Sequence, residues 1–345
     1  MPAALTAHAT EVAAHLPRTQ RCAVITAAGG PEVLRVRGGL PVPSPGPDEV
    51  LIRVAAAGVN RHDCNQRSRG PTPEHSDVPG LEVSGHIIDC GRNVSRKRIG
   101  RPVMALTDGG GYGEYVVTHS ALAFDCPSGL DLVSAASFPE ALFTTWLNFF
   151  TLMSLEPAER VLIHGGASGV GSIAIQVLRA LGHAVFVTAG TETKRNVALD
   201  LGATAAFDYA DEALAERIKS AVGEKGVDAI LDMSAGAHIE QDMQILAPNG
   251  RISFLSPGKS ANLPVPLRLM MTKRIKLTGA MLRGYPLSGK IEIARKIQER
   301  ALPLIGTRVF PKIDSIFSLT EADRAHARME SNAHIGKIVL RVDFQ

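Results

Sequence analysis

Residues 161–190 read VLIHGGASGVGSIAIQVLRALGHAVFVTAG: an apolar run, a glycine-rich turn, a segment with helical spacing and a second apolar run. No other stretch of the chain narrows the fold as far. Val170, Ile173, Ala174, Val177, Leu178 and Leu181 recur at the interval of one helical face, so a helix here would lay that face on a sheet. A strand that turns through glycines into a helix is one unit of a parallel sheet. From Arg160 onward, VLIHG, AVFVTAG, AAFDY, VDAILDM, RISFLS and IKLTGAM alternate with helical patterns or loops, which predicts a doubly wound α/β domain.

The chain ahead of it has another texture. CAVITAAGG, DEVLIRVAAAGV, EVSGHIIDCG and GGYGEYVVTH are short β-like runs broken by Pro and Gly, so residues 22–126 read as a β-rich domain with long loops. After Pro127, LDLVSAASFPEALFTTWLNFFTLM turns helix-like, and HIGKIVLRVDF near the end is again β-like. The expected organisation is a loosely ordered extension over 1–21, a β-rich domain over 22–142, the parallel-sheet domain over 143–282, and a return to the first domain over 283–345. RISFLS and IKLTGAM are expected to include a sheet edge.

The chemistry of the turn follows from its shape. A turn that feeds a helix N-terminus exposes backbone N–H groups, and the helix dipole adds positive potential, which together suit a pyrophosphate. Against the pattern G-x-G-x-x-G, Gly166 and Gly171 fit, while Ser168 stands in the middle glycine's place. About 20 residues on, an acid would hold the 2′-hydroxyl of an adenosine ribose. This chain reads VTAGTETKRN there, and its one acid, Glu192, falls at the start of the next helix. Gly190 and Thr191 leave room for a 2′-phosphate, with Lys194 as counter-charge, so NADPH is expected rather than NADH. The plainer reading puts Lys194 and Arg195 on a solvated helix face.

Composition removes several classes of function. Among 345 residues, 37 basic and 34 acidic side chains leave a formal charge of +3. The cations are scattered, which is no nucleic-acid footprint. SRKRIGR at 95–101 is the one dense basic run, read as a solvated turn in preference to a phosphate patch. Cys22, Cys64, Cys90 and Cys126 form no Cys-x-x-Cys pair, which argues against a disulfide framework or a zinc knuckle and fits a reducing cytoplasm. SFPEALFTTWLNFFTLMSL is interrupted by Pro139 and Glu140, so no membrane span is expected. The first 20 residues lack an export-signal pattern, with organelle targeting as the alternative reading.

The pieces AAGVNRHD, VPGLEVSGHI, GGGYGEYV, HGGASGVG, VTAGTETK, FDY and IGKIVL together resemble the medium-chain dehydrogenase/reductase superfamily over roughly residues 22–345. Within it they resemble the zinc-free, zeta-crystallin-like quinone oxidoreductases. The resemblance implies a GroES-like domain beside a Rossmann domain. Zinc-dependent relatives carry a Cys ligand at the position of Asn60 and a His within Gly-His-Glu, which here reads Gly80-Leu81-Glu82. Asn60 and Leu81 cannot replace a thiolate and an imidazole, and the four-Cys zinc lobe is also missing, so no metal is expected.

What the resemblance implies for the site runs residue by residue. Asn60 and Thr144 would lie near the nicotinamide, and Ser168, Gly169 and Val170 would hold the pyrophosphate. Gly190, Thr191, Lys194 and Tyr209 would surround the 2′-phosphate. Phe254, Leu255 and Ser256 would close over the nicotinamide end, with Arg283 and Lys337 lining the cleft. Plainer readings make Tyr209 a strand end, Thr144 an ordinary helix residue and Lys337 a solvated charge. Many relatives carry a Tyr soon after the Asn, whereas NRHDCNQRSRGPTPEHS has none, leaving His62, Asp63 and Tyr112 as candidate proton donors. Asn60, Tyr112 and Arg283 are therefore the catalytic candidates.

The leading expectation is hydride transfer from NADPH to a quinone or similar conjugated carbonyl, by a cytoplasmic homodimer. The alternatives are an NADPH-dependent enone or enoyl reductase, and an NADPH-binding protein with an RNA-binding or other non-catalytic role.

Overall fold

The structure is a computed structural model that describes residues 16–72, 76–233, 236, 238–256 and 262–344. The chain forms two compact units, one holding residues up to Glu140 together with those from Pro311 on, the other Ala141–Phe310. Most of the expected N-terminal extension lies outside the described residues. Its last part does not hang loose: Thr19–Ile25 is a strand paired antiparallel with Leu34–Pro41.

The first unit is built on a seven-stranded sheet. Its order is Ile313–Ser318, Lys337–Arg341, Glu49–Val59, Glu82–Cys90, Pro102–Leu106 and Ala123–Asp125, with Tyr115–His119 also paired to Glu49–Val59. The alternation in VLIRVAAAGV puts Val50, Ile52 and Val54 into the core beside Val83, Ile87 and Val103. Two registers matter for the site. Ile338 pairs with Val59, so Lys337 comes opposite Asn60. Ala57 pairs with Val83, so one step on Glu82 faces Gly58. Within the basic run, Arg98 is not simply solvated: its guanidinium donates to the carbonyls of Ser120 and Ala123.

The second unit carries a six-stranded, all-parallel sheet. Its order is Ala205–Phe207, Val185–Thr188, Val161–His164, Val227–Asp232, Leu246–Phe254 and Lys276–Gly279. The chain starts in the middle, steps outward one way, then crosses and steps outward the other, which leaves a crevice where the order reverses. The helix Gly169–Ala180 buries Ile173, Ala174, Val177 and Leu178 as its spacing required, and Ile175 as well. RISFLS belongs to an interior strand; IKLTGAM supplies the edge.

The return to the first unit comes at Pro311, later than residue 283. The helix Leu287–Arg300 stays with the second unit, and the Arg300 guanidinium sits 5.7 Å from the Trp146 ring. The helix-like stretch after Pro127 divides into Leu132–Ala135, Pro139–Thr145 and a wider π-helical turn, Trp146–Leu152. In that turn Asn148 donates to the Thr144 carbonyl at 2.7 Å and accepts from Ser253 Oγ at 2.6 Å.

Candidate active site

In the second unit the turn after Val161–His164 leads into Gly169–Ala180 with Ser168 as its cap. Ser168 Oγ accepts from Gly171 N at 3.0 Å, which is why a serine serves where the pattern has glycine. The hydroxyl is thereby turned to the helix, and the first-turn N–H groups of Gly169 and Val170 are left for an anion. Gly171 is required by close approach: a Cβ there would lie 2.5 Å from Gly165 O. This cradle fits a pyrophosphate.

The strand end beside it is organised by register. Phe207 pairs with Thr188, so the next residues bring Asp208 beside Ala189 and Tyr209 beside Gly190. A Cβ on Gly190 would lie 2.5 Å from Tyr209 Oη, so the glycine makes room for the phenol, itself half exposed. Thr191 caps the helix Glu192–Asp200 by accepting from Lys194 N at 3.2 Å. Gly190, Thr191, Lys194 and Tyr209 are thus brought together. Arg195 is no free surface charge, because Nη1 donates to Ala189 O at 3.0 Å and to Asp208 Oδ2 at 2.8 Å. Asp208 was missed by sequence reasoning, which looked for an acid on the preceding strand.

Beneath the cradle, His164 is buried between Thr188 Oγ1 at 2.9 Å and Asp242 Oδ1 at 2.8 Å. Burial works against a charged imidazole, but Asp242, by charge and hydrogen bond, together with Asp232, outweighs it and raises its pKa. Thr144 is buried in Pro139–Thr145, Phe254 ends its strand, and Leu255 N donates to Asp232 O at 2.9 Å with Ser256 next. Arg283 lies beyond the edge strand, and its carbonyl accepts from Lys290 Nζ at 2.9 Å.

The first unit holds the other candidates in a buried polar cluster. Asn60 begins the helix Arg61–Arg69 and forms a capping box with Asp63, its N–H donating to Asp63 Oδ2 at 2.8 Å. Asn60 Nδ2 donates to Glu82 Oε1 at 2.9 Å, and Lys337 Nζ donates to Asn60 Oδ1 at 2.7 Å and forms an ion pair with Glu82. Lys337 is only 2 % exposed, so it is not the solvated charge of the plainer reading. Glu82 Oε2 accepts from Glu140 N at 2.9 Å.

Tyr112 is fully buried. Its hydroxyl donates to Asp63 Oδ2 at 3.0 Å and stands 3.2 Å from His326 Nε2. Gly80 N completes the set on Asp63 Oδ1 at 3.1 Å. Burial lifts the Asp63 carboxyl to about 6, against the pull of those donors and of Lys337. Burial first, and then the Asp63 charge, pushes the Tyr112 phenol well above its usual range. His62 is half buried in the first helical turn.

Leu81 is buried and apolar. Among the described residues, no group of three or more His, Cys, Asp or Glu side chains is placed to share a metal ion. All four cysteines are free thiols, and no described helix is long and apolar enough to cross a membrane.

Residues 46–128 match the family model "Alcohol dehydrogenase GroES-like domain", and residues 169–298 match "Zinc-binding dehydrogenase". The second matched segment contains no cysteine. The quinone oxidoreductase of Sus scrofa is 33 % identical over 316 residues, which is 90 % of this chain and 94 % of that protein. The quinone oxidoreductase of Pseudomonas syringae superposes with a TM-score of 0.79 at 25 % identity, over 93 % of this chain and 99 % of that one. A mycobacterial protein solved in complex with NADPH gives a TM-score of 0.78 at 26 % identity, with the same coverage of 93 % and 99 %. A GroES-like unit, a parallel-sheet unit whose glycine turn leads into a helix start, and relatives matching nearly end to end lead to one conclusion: the chain belongs to the medium-chain dehydrogenase/reductase superfamily, as an oxidoreductase that uses a nicotinamide cofactor.

Proposed function

We propose that the protein reduces a quinone or a similar conjugated carbonyl with NADPH, and that it does so without a metal ion. The observation that carries the reading is the strand end at 188–190, which has no carboxylate, while the nearby acid Asp208 is neutralised by Arg195. An unpaired acid there would repel a 2′-phosphate; Lys194 and Tyr209 instead offer a cation and a hydroxyl. NADPH bound by the mycobacterial neighbour supports the same choice.

Bound NADPH supplies a hydride, and with one proton from solvent it turns a quinone into a hydroquinone and leaves NADP+. The chain's own work is to hold and orient. Gly169 and Val170 N–H groups would take the pyrophosphate, with Ser168 fixing the helix start. Thr144, the backbone of Phe254, Leu255 and Ser256, and Lys337 would be cofactor contacts, with Asn60 and Arg283 as candidate catalytic residues. Metal independence is supported by Leu81 and Asn60, one apolar and the other committed to Glu82 and Lys337.

Tyr112 bears on the enone alternative. Saturating a carbon–carbon bond needs a donor held against carbon, and the buried phenol is engaged by Asp63 and His326. Quinone reduction needs no such donor, which favours it. We also propose a homodimer, supported by the edge strand Lys276–Gly279 and by Leu267, Met271 and Met281, all strongly exposed. A cytoplasmic setting is supported by the four free thiols.

The test is initial-rate kinetics of the purified protein with 1,4-benzoquinone or 9,10-phenanthrenequinone, NADPH against NADH, with product analysis and metal quantification. Hydroquinone formation with NADPH preferred is expected. Equal use of NADH would remove the phosphate-pocket argument, and stoichiometric zinc would remove metal independence.

A further inference from the structure

We propose that Glu82 is a positioning residue for the reaction. Together with Lys337 it fixes the Asn60 carboxamide in one orientation, so that its second amide hydrogen is offered to a carbonyl oxygen at the reacting end. This rests on the hydride-transfer reading above and adds a residue to it.

The argument begins with the amide. An asparagine side chain has one accepting oxygen and two N–H donors, and its flip is decided by its neighbours. Here a cation stands on one side and a carboxylate on the other: Lys337 Nζ is 2.7 Å from Oδ1, and Glu82 Oε1 is 2.9 Å from Nδ2. The reversed amide would set N–H against ammonium and oxygen against carboxylate, so only one orientation is compatible with both. One N–H is spent on Glu82; among the described residues, no hydrogen-bond acceptor takes the other. An ammonium on Oδ1 draws electron density from the amide nitrogen and strengthens that N–H as a donor.

Glu82 is committed to this task. It is fully buried and Lys337 is 2 % exposed, so the pair avoids screening by water. Its other oxygen, Oε2, is anchored by Glu140 N at 2.9 Å. The strand opposite leaves room for it, since a Cβ on Gly58 would lie 2.2 Å from Glu82 Oε1. A carboxylate kept only to neutralise Lys337 would not need to hold Asn60 through the same oxygen. The carbonyl to be met belongs either to the nicotinamide carboxamide or to the acceptor.

The test exchanges the two groups. In Asn60→Asp/Glu82→Gln the cluster keeps one carboxylate, one amide and Lys337, so the charge balance and the internal hydrogen bonds can reform, but position 60 no longer has an N–H. A Tm within a few degrees of the starting protein is expected, with kcat/KM lowered about 100-fold, the scale of losing one oriented donor. If the oxygen is the cofactor's, the NADPH dissociation constant rises, read by the fluorescence of the bound dinucleotide. If it is the acceptor's, NADPH binding is unchanged and kcat and the quinone KM carry the loss.

Should the exchanged variant not fold, Glu82→Gln/Lys337→Met removes both charges at similar volume. It is expected to fold with NADPH still bound at its pyrophosphate end and with turnover lowered at least tenfold, because the two charges that select one orientation of the Asn60 amide are gone. Unchanged kcat and KM values in a folded variant of either kind would overturn the proposal. Failure of the starting protein itself to oxidise NADPH would instead count against the hydride-transfer reading, and the two failures are separable.

Discussion

The two units place their candidate site residues by opposite means. The second works with main chain: a glycine turn, a serine cap and the first-turn N–H groups of a helix start. The first works with buried side chains: Glu82 with Lys337 and Asn60, and Asp63 with Tyr112 and His326. A backbone cradle loses function when a side chain intrudes and keeps most of its stability. A buried charge cluster loses stability first, because each member leaves another without its partner.

The sharpest way to break that contrast is Lys337→Met. It leaves Glu82 a buried carboxylate with no cation beside it, held only by Asn60 Nδ2 and Glu140 N, and should cost about 3–5 kcal/mol in urea unfolding. A loss below about 1 kcal/mol would mean the pair is open to water. Next comes Gly171→Ala, whose Cβ would press on Gly165 O at 2.5 Å. NADPH should bind about 100-fold more weakly, or ~2.7 kcal/mol, and because the clash is with backbone the urea midpoint should also fall, but by less than in the lysine variant. If the midpoint falls as far as in the lysine variant, the contrast between the units fails.

The third test sharpens the first unit through pH. Burial lowers the His326 imidazole from 6.5 to about 3, while it raises the Asp63 carboxyl from 3.8 to about 6. The unfolded imidazole gains a proton that the folded one refuses, so His326 removes stability as pH falls from 6.5 toward 3. Asp63 runs the other way: its contribution is present below 3.8 and is lost as pH rises to about 6. The histidine shift is the larger. His326→Phe should therefore gain in Tm relative to the parent as pH is lowered to about 4; a constant difference would show that the imidazole is protonated in place. The smallest expected effect is in the second unit. Lys194→Ala should weaken NADPH about tenfold and leave NADH unchanged, as for one partly exposed cation facing a phosphate.

Legibility in the sequence divides along the same line. The parallel sheet, its helix and its cradle could be read because every part lies within one βα unit, where spacing reports geometry directly. Ser168 looked like a blemish in a glycine pattern, and the cap explains it. Glu82 could be seen only as the last letter of an altered Gly-His-Glu, because its partner lies 255 residues away and is aligned by strand register. Asp208 escaped for a similar reason: it meets Arg195 through the pairing of Phe207 with Thr188. The boundary at Pro311 was hidden because the helix Leu287–Arg300 has the same amphipathic texture whichever unit it packs on.

The strand Lys337–Arg341 sits inside its sheet, between Ile313–Ser318 and Glu49–Val59. A ribosome therefore delivers the middle of the first unit after its flanks, and after the whole of the continuous second unit. Until then the edge of Glu49–Val59 stays open and Glu82 has no ammonium beside it. The second unit is thus free to fold while the chain is still being made, whereas the first must wait for its closing strand, and in that interval the nascent chain is most exposed to mispairing with a neighbour.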